Sequence, residues 1–357
     1  MDDPLDSLLA WLRQDKDAAL ATVISTWGSA PRQAGAKMAV GPAGEMVGSV
    51  SGGCVEAAVA QAALDSLKDG KPRLLHYSVS DEAAWDVGLT CGGQLEVFVE
   101  PMRRAGVRDR GDRLLQGLVQ ARAEGRPIVR AVVIRGPGGL LGETAAFDRE
   151  GVALDGSPGL MSAALADGAR RAAERGAPLR LVLPLAEGEG EVLLDPVLPA
   201  PTLVIVGAVH IAVILTRLAK AIGFRVVILD PRRGFATAER FGEADEVLHE
   251  WPEEGLRHIA LSPTTAVAVV SHDPKLDDPA LMAALRSPAG YVGALGSRAT
   301  NAARRKRLAE AGLTEAEWDR LHAPIGIPEL GESPQAIALG ILTEIASTPT
   351  LRAGLGS

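Results

Sequence analysis

Cysteine is nearly missing from this sequence. Cys54 and Cys91 are the only two among 357 residues. Two cysteines cannot form the disulfide framework of a small secreted protein, and so low a number suits a reducing compartment. The sequence also lacks a signal peptide's basic and then apolar N-terminus, and it has no apolar run long enough to cross a bilayer. These absences predict a cytoplasmic protein without a membrane span.

The chain has no excess of positive charge either. Its formal net charge is −8, and the basic residues are interspersed with acidic ones. Binding to nucleic-acid phosphates needs a concentrated basic face, so nucleic acid is excluded as the main partner. The hydrophobic share of 47% is that of a globular protein, and 357 residues exceed what one core usually supports.

The clearest domain boundary lies at residues 198–201 (L-P-A-P), where two prolines precede an abrupt apolar strand. We therefore predict an N-terminal mixed α/β domain over residues 1–198 and a C-terminal domain over residues 199–357. Both cysteine motifs lie within residues 1–103, and residues 104–198 are interpreted as a continuation of the same α/β core, without an internal repeat. In the C-terminal domain, apolar strands alternate with helical patterns, which predicts a Rossmann-like, doubly wound parallel sheet.

Each cysteine stands beside a Gly-Gly pair. Residues 48–56 (G-S-V-S-G-G-C-V-E) predict a strand, a turn and the start of a helix, which places Cys54 near the helix N-terminus. Free N–H groups collect at such a terminus and favour an anion. Gly52 and Gly53 would let a ligand approach the backbone, and Gly92 and Gly93 would do the same beside Cys91.

Two interpretations of the cysteines stay open. They could be small buried hydrophobic residues, which is the usual state of a free cysteine. They could instead be a pair of reactive thiolates that holds a soft metal, a sulfur-ligated cofactor or a transferable sulfur atom. The Gly-Gly pair beside each thiol favours the second interpretation.

The C-terminal domain begins with the layout of a dinucleotide-binding unit: an apolar strand, Gly207, a helix, and a second strand that ends at Asp230. Only the first glycine of the G-x-G-x-x-G pattern is present, because Val209 stands where the second glycine would let a pyrophosphate approach. We expect Gly207, His210 and Asp230 to line a Rossmann-like crevice. The pattern gives weak support to NAD(P) in its usual pose.

A second candidate in this domain is the strand end at residues 293–298 (G-A-L-G-S-R). There Ser297 could cap a helix, and Arg298 could bind a phosphate or carboxylate through two hydrogen bonds. An ordinary capped helix with a surface arginine is the alternative. The basic run at residues 304–307 (R-R-K-R) predicts a solvated helix face.

Taken together, six ordered motifs between about residue 18 and residue 346 make the chain resemble the XdhC/CoxI family, the accessory proteins of xanthine dehydrogenase and related molybdenum hydroxylases. The motifs are T-W-G-S-A-P-R (26–32), G-S-V-S-G-G-C-V-E (48–56), D-V-G-L-T-C-G-G (86–93) with E-V-F-V-E-P (96–101), D-P-R-R-G-F-A-T-A-E-R-F (230–241), Y-V-G-A-L-G-S-R (291–298) and H-A-P-I-G (322–326). Many family members have G-A-G-H-x-G where this chain has G-A-V-H-I-A.

The resemblance implies an XdhC/CoxI-type domain followed by a Rossmann-like domain, and a chaperone without turnover of its own. Such a chaperone binds molybdenum cofactor, shields it during sulfuration by a cysteine desulfurase, and passes it to an apo molybdenum hydroxylase. A homodimer is also expected. Cys54 and Cys91 are then the expected metal ligands, and Arg32 and Arg298 are candidates for the cofactor's phosphate or pterin edge. The alternative is an NAD(P)-dependent oxidoreductase that uses the Rossmann-like domain.

Overall fold

The computed structural model describes residues 3–28, 32–77, 93–102, 108–137, 139–185 and 188–355. The chain divides into two compact units, a first that ends at Pro199 and a second of Ala200–Leu355. No helix of the described residues is both long and apolar enough to cross a membrane.

The first unit contains two five-stranded sheets. The first sheet has the order β3-β2-β1-β5-β4 and the second has the order β8-β7-β6-β10-β9, and all pairings are antiparallel. The elements of the first are α1 (Pro4–Arg13), β1 (Ala18–Trp27), β2 (Lys37–Val40), β3 (Met46–Gly48), α2 (Glu56–Asp69), β4 (Arg73–Tyr77) and β5 (Gln94–Met102). Those of the second are α3 (Arg108–Ala123), β6 (Ile128–Arg135), β7 (Thr144–Asp148), β8 (Ala153–Gly156), α4 (Ala163–Arg175), β9 (Leu179–Leu185) and β10 (Gly188–Val197).

The two sheets and their helices have the same fold. In the described residues, each copy runs helix, three strands, helix, two strands, and its last strand returns beside its first. Even the irregularities match, because the pairing of β1 with β5 shifts at Ile24 and that of β6 with β10 shifts at Ile134. The expectation of no internal repeat is therefore wrong, because the described part of residues 108–197 repeats the strand order of the first sheet. We call residues 4–102 the first copy and residues 108–197 the second copy.

The two copies pack together through their central strands. Ile24, Phe98, Val132, Ile134 and Leu193 form one buried cluster with members from β1, β5, β6 and β10. Hydrophobic burial of this kind is the main favourable term in folding. The two sheets therefore share a core, in addition to the separate clusters under α2 and α4.

Two buried ion pairs also connect the copies, and they are reciprocal. Lys37 of the first copy lies 3.0 Å from Asp195 of the second. Arg130 of the second copy donates two hydrogen bonds, of 2.7 and 2.5 Å, to Glu100 of the first. Glu100 and Asp195 occupy equivalent positions on β5 and β10, four residues after Glu96 and Glu191 at the shifted pairs. Each copy thus supplies one acid and one base to the other.

The second unit is a parallel six-stranded sheet of order β13-β12-β11-β14-β15-β16. Its strands are β11 (Thr202–Val206), β12 (Arg225–Leu229), β13 (Glu246–Leu248), β14 (Thr265–Val269), β15 (Tyr291–Ala294) and β16 (Leu321–His322). Its helices are α5 (His210–Ala221), α6 (Pro252–His258), α7 (Pro274–Leu285), α8 (Arg298–Glu310), α9 (Glu315–Trp318), α10 (Pro334–Ser347) and α11 (Pro349–Gly354).

Alternate residues of β11 face two different cores. Leu203 and Ile205 pack in the cluster that contains α5 and α10, whereas Val204 and Val206 pack in the cluster that contains α7 and α8. A parallel strand covered on both faces is expected to be a nearly continuous apolar run, as residues 203–206 of β11 are. The predicted doubly wound, Rossmann-like sheet is confirmed.

Candidate functional site

Cys54 lies in the turn between β3 and α2, two residues before the helix begins at Glu56. Its thiol is free and half-buried. The side chain packs against a buried cluster that includes Val50, Val55 and Leu95. The thiol is thus neither sealed in the core nor fully exposed, and Cys54 retains access to solvent on a fixed backbone.

The turn around Cys54 is held by a single carboxylate, that of Glu56. It accepts the backbone N–H groups of Ser51, Gly52 and Gly53 at 2.9, 3.0 and 2.9 Å. It also accepts the hydroxyl of Ser49 at 2.6 Å and that of Ser51. Burial alone would raise the pKa of Glu56, but these hydrogen bonds outweigh it and lower the pKa to about 2.

Glycine is needed in this turn for its backbone angles. Gly52 and Gly53 have φ values of +81° and +121°, a region that side chains disfavour. An added Cβ on Gly53 would meet no atom within 4 Å, so conformation and not space selects glycine there. The hydroxyl oxygen of Ser51 then accepts the N–H groups of Cys54 and Val55, both at 3.0 Å. All five N–H groups from Ser51 to Val55 are therefore occupied within the turn.

This occupancy revises the expected role of the turn. The sequence predicts that its N–H groups receive an anionic ligand, but Glu56 and Ser51 already bind them. Glu56 stands in the motif, yet the sequence pattern alone assigned it no role. The signal was available, since Ser49, Ser51 and the two glycines all precede a glutamate that can fold back onto them.

Arg32 lies beside the same turn. Its Nε donates a hydrogen bond of 3.2 Å to the carbonyl oxygen of Ser49, and its side chain is exposed. The structure thus brings Arg32 close to the Cys54 turn, as a phosphate-binding candidate would require. Its assignment to the cofactor stays a prediction.

The second cysteine motif falls largely outside the described residues, which include neither Cys91 nor Gly92. Gly93 is buried and directly precedes β5. At the other end of the segment, Tyr77 pairs with Leu95, and both side chains belong to the cluster against which Cys54 packs. Burial raises the pKa of Tyr77 to about 12. The described ends of the Cys91 segment therefore join the hydrophobic cluster of Cys54.

Within the described ranges, no three His, Cys, Asp or Glu side chains are grouped so that they could hold a metal ion. Of the two predicted metal ligands, the structure places Cys54 alone.

In the second unit, Gly207 follows β11 with a φ of +105°. A Cβ there would lie 2.6 Å from Cβ of Ser271, so this glycine lets the turn pack on the end of β14. The same turn is fixed by Asp230, whose Oδ2 accepts the N–H of Ala208 at 2.7 Å. His210, the first residue of α5, is exposed.

The carboxylate of Asp230 is fully occupied. Besides Ala208, it accepts the backbone N–H of Arg232 at 2.9 Å and two guanidinium hydrogen bonds of 2.9 and 2.7 Å. These donors lower the pKa of the buried Asp230 against the effect of burial. A carboxylate has about four lone-pair sites, so in this arrangement Asp230 has none left for a ribose hydroxyl. A dinucleotide-binding layout would assign Asp230 to a ribose hydroxyl, and that role gains no support from this geometry.

The strand end at Arg298 has the predicted cap. Ser297 Oγ accepts the N–H of Thr300 at 3.1 Å, and Arg298 is exposed at the start of α8. The prediction of a solvated basic face is wrong for Arg304, which is 1% exposed and forms a 2.8 Å ion pair with Asp277. Leu308, one helical turn further, is also buried. That spacing was the sequence signal for a buried Arg304.

Comparisons with known proteins agree with this architecture. Residues 11–78 match the family model of the XdhC and CoxI family, and residues 203–345 match that of the XdhC Rossmann domain. The chain belongs to the XdhC/CoxI family. The two matched segments lie in the first and the second unit, and the first of them contains the Cys54 turn.

Two relatives cover this XdhC/CoxI chain almost from end to end. A protein of Bacillus subtilis (strain 168), named as a probable subunit of xanthine dehydrogenase, is 28% identical over 342 residues, which cover 95% of each chain. The molybdenum cofactor insertion chaperone PaoD of Escherichia coli (strain K12) is 27% identical over 340 residues, which cover 94% of this chain and 85% of PaoD. The crystal structure of a xanthine dehydrogenase from Bacillus halodurans has a TM-score of 0.75 at 24% identity. The match covers 99% of this chain and all of that one, and it supports the fold alone.

The H-A-P-I-G motif of this XdhC/CoxI chain forms a polar cluster that the sequence pattern did not resolve. Nδ1 of His322 lies 2.9 Å from Glu344, and the imidazole stacks on the ring of Tyr291 with centroids 4.3 Å apart. Glu344 also accepts the N–H of Gly326. This cluster joins β15, β16 and α10 at one edge of the sheet.

Proposed function

We propose that this chain binds molybdenum cofactor, shields it during sulfuration by a cysteine desulfurase, and delivers it to an apo molybdenum hydroxylase of the xanthine dehydrogenase type. A maturation role is supported by relatives named as a molybdenum cofactor insertion chaperone and as a probable component of xanthine dehydrogenase. The observation that carries the proposal is the free, half-buried thiol of Cys54 on a turn whose backbone is fully hydrogen-bonded.

The residues of the turn fit one part of this cofactor and not another. When bound, the cofactor supplies a molybdenum centre with dithiolene sulfur ligands and a phosphate. A thiolate such as that of Cys54 is a suitable ligand for a soft metal centre. The N–H groups of residues 51–53 do not fit the phosphate, because Glu56 occupies them.

The phosphate therefore needs a cation outside the turn. Arg32 is suited to this, because its exposed guanidinium is linked to the turn through Ser49 and carries further N–H donors. Cys91 is proposed as the second thiol, on the grounds that the described ends of its segment join the hydrophobic cluster of Cys54. Arg298, Gly207 and His210 keep their predicted roles as a separate binding hypothesis for the second unit.

The oxidoreductase alternative rests on the Rossmann-like sheet alone. Asp230 is saturated by Ala208 and Arg232, and Val209 keeps its side chain at the turn. Titration with NADH and NADPH tests this directly. Saturable micromolar binding that is lost in Asp230→Ala would reinstate the alternative.

The proposal is tested by purifying the full chain from cells that make molybdenum cofactor and measuring its molybdenum and pterin. We expect stoichiometric cofactor in the parent and a loss of at least about tenfold in affinity in Cys54→Ser, since tenfold corresponds to the removal of a single favourable contact of about 1.4 kcal/mol. Serine keeps the size of the side chain, so this variant isolates the sulfur. Cofactor content in Cys54→Ser and Cys91→Ser equal to that of the parent would show that neither thiol contributes to cofactor binding.

A further inference from the structure

We infer that Glu56 is a positioning residue for Cys54: it fills the backbone nest of the turn with the chain's own carboxylate, so that the turn offers a ligand one thiol and no oxyanion site. This inference rests on the proposed function, because it assigns which part of the cofactor approaches the turn. Nothing in the family match or in the relatives' names gives Glu56 a role.

The turn has the shape of an anion-binding concavity. Gly52 and Gly53 adopt positive φ values, and three successive N–H groups, those of residues 51, 52 and 53, point at one spot. Consecutive N–H groups arranged in this way form a concavity that binds anions such as phosphate. In this chain the concavity contains the carboxylate of Glu56, with the hydroxyls of Ser49 and Ser51 as further donors.

Glu56 differs from an ordinary helix cap in the same chain. Glu317 of α9 is part of a capping box, and it accepts the N–H and the hydroxyl of Thr314 within its own first turn. Glu56 instead reaches back from the first position of α2 to the segment 49–53, outside the helix. A cap of the Glu317 kind completes a helix, whereas Glu56 organises the loop that carries Cys54.

The carboxylate of Glu56 also keeps dissolved anions out of the concavity. The carboxylate of Glu56 already fills the concavity and accepts five hydrogen bonds from residues 49–53. Because this carboxylate is tethered three to five residues from the N–H groups of Gly53, Gly52 and Ser51 that it accepts, it competes with dissolved anions at a high effective concentration. A phosphate could enter only by displacing it. The cofactor's phosphate is therefore held away from residues 49–53, and sulfur is the group that the turn presents.

The test measures alkylation of Cys54 by iodoacetamide across a pH series, with and without inorganic phosphate, in full-length Cys91→Ser protein so that one thiol reports. The variants are Glu56→Ala and Glu56→Gln, and Glu317→Ala is the matched control because it removes a capping carboxylate from the other unit. Circular dichroism establishes that each variant is folded. Acetate is added to Glu56→Ala as a replacement carboxylate.

We expect phosphate to leave the alkylation rate unchanged in the parent and in Glu317→Ala. In Glu56→Ala the pH profile should shift, phosphate should slow alkylation several-fold, and acetate should restore part of the parental profile. Glu56→Gln should show a smaller response, since an amide has one acceptor oxygen; it serves as the readout if Glu56→Ala does not fold. A merely structural carboxylate would change stability without making the thiol sensitive to phosphate.

Two results would overturn the inference: phosphate protection of Cys54 in the parent, or folded Glu56 variants with the parental pH profile and no response to phosphate. Neither measurement uses the cofactor. Absence of molybdenum and pterin from the purified parent would therefore defeat the proposed function and leave this result standing, and the reverse also holds.

Discussion

The two copies in the first unit share an order of strands, a bulge position and a pair of reciprocal buried charges, yet they differ at two connections. Between β3 and α2 the first copy has the Cys54 turn, whereas between β8 and α4 the second copy has a short 3₁₀ turn and a conventional cap at Ser162. Between β4 and β5 lie residues 78–93 with Cys91, and between β9 and β10 only residues 186 and 187.

The two copies share their scaffold and differ in the connections that carry the proposed chemistry. Both copies contribute strands and ion pairs to one core, whereas the two cysteines proposed to contact the cofactor stand in connections that take a different form in the second copy. Binding residues often lie in loops on a rigid framework, because loops can vary without loss of the core. The second copy is the internal control for the first.

The largest expected effect comes from the ion pairs that the copies share. Glu100→Ala would leave Arg130 charged and unpaired in a buried position, which costs about 3–5 kcal/mol. Hydrogen exchange of the β1 and β6 amides measures this loss of stability in both copies. If the copies are one cooperative body, both strands lose protection together.

The matched control is Glu246→Ala, which removes one partner of the exposed pair with Arg225 in the second unit. An exposed pair contributes about 0–1 kcal/mol, so little change is expected there. A cost of Glu100→Ala no greater than that of Glu246→Ala would show that the buried pairs do not hold the copies together.

A medium effect is expected at the two non-equivalent turns. Glu56→Ala leaves the partly buried N–H of Ser51 and the hydroxyls of Ser49 and Ser51 without their acceptor, and we expect it to destabilise the first unit by about 2 kcal/mol. Ser162→Ala in the second copy removes one cap hydrogen bond and should cost about 1 kcal/mol. Urea denaturation of both variants ranks the two turns, and equal costs would mean that the Cys54 turn is no more than an ordinary cap.

The smallest effect is a dependence on pH that only the first copy's turn should show. The pKa of Glu56 is about 2 in the folded chain against an ordinary value of 4.5, so its stabilisation is complete above pH 4.5 and is lost as the pH falls toward 2. After allowance for its partial exposure, we expect about 1 kcal/mol. The difference in stability between parent and Glu56→Gln should shrink over this range. A constant difference from about pH 5 to pH 2 would contradict the assigned ionisation.

Local sequence patterns were sufficient where local rules decide the structure. The strand, turn and helix start predicted over residues 48–56 are found as the end of β3, the Cys54 turn and the start of α2. Helix α2 ends at Gly70, which has the left-handed conformation of a helix C-cap. The parallel sheet of the second unit followed from continuous apolar strands that alternate with helices. Each of these features depends on residues close together in the chain.

Features that depend on contacts between residues far apart in the chain were not predicted from the sequence. The duplication is visible in strand order and bulge position, and the pairing of Lys37 with Asp195 spans most of the first unit. Arg304 looked solvated because its neighbours in sequence are basic, although Leu308 marks its buried face. The role of Glu56 needed the positive φ values of Gly52 and Gly53, which turn the N–H groups toward it.

The central claim is that the Cys54 thiol contacts the cofactor, and the most direct measurement is alkylation of Cys54 in the full chain before and after loading with molybdenum cofactor. The account predicts that loading protects Cys54 in proportion to the bound molybdenum, and that release of the cofactor restores reactivity. Equal alkylation of Cys54 in loaded and unloaded protein, with the molybdenum still bound, would contradict it.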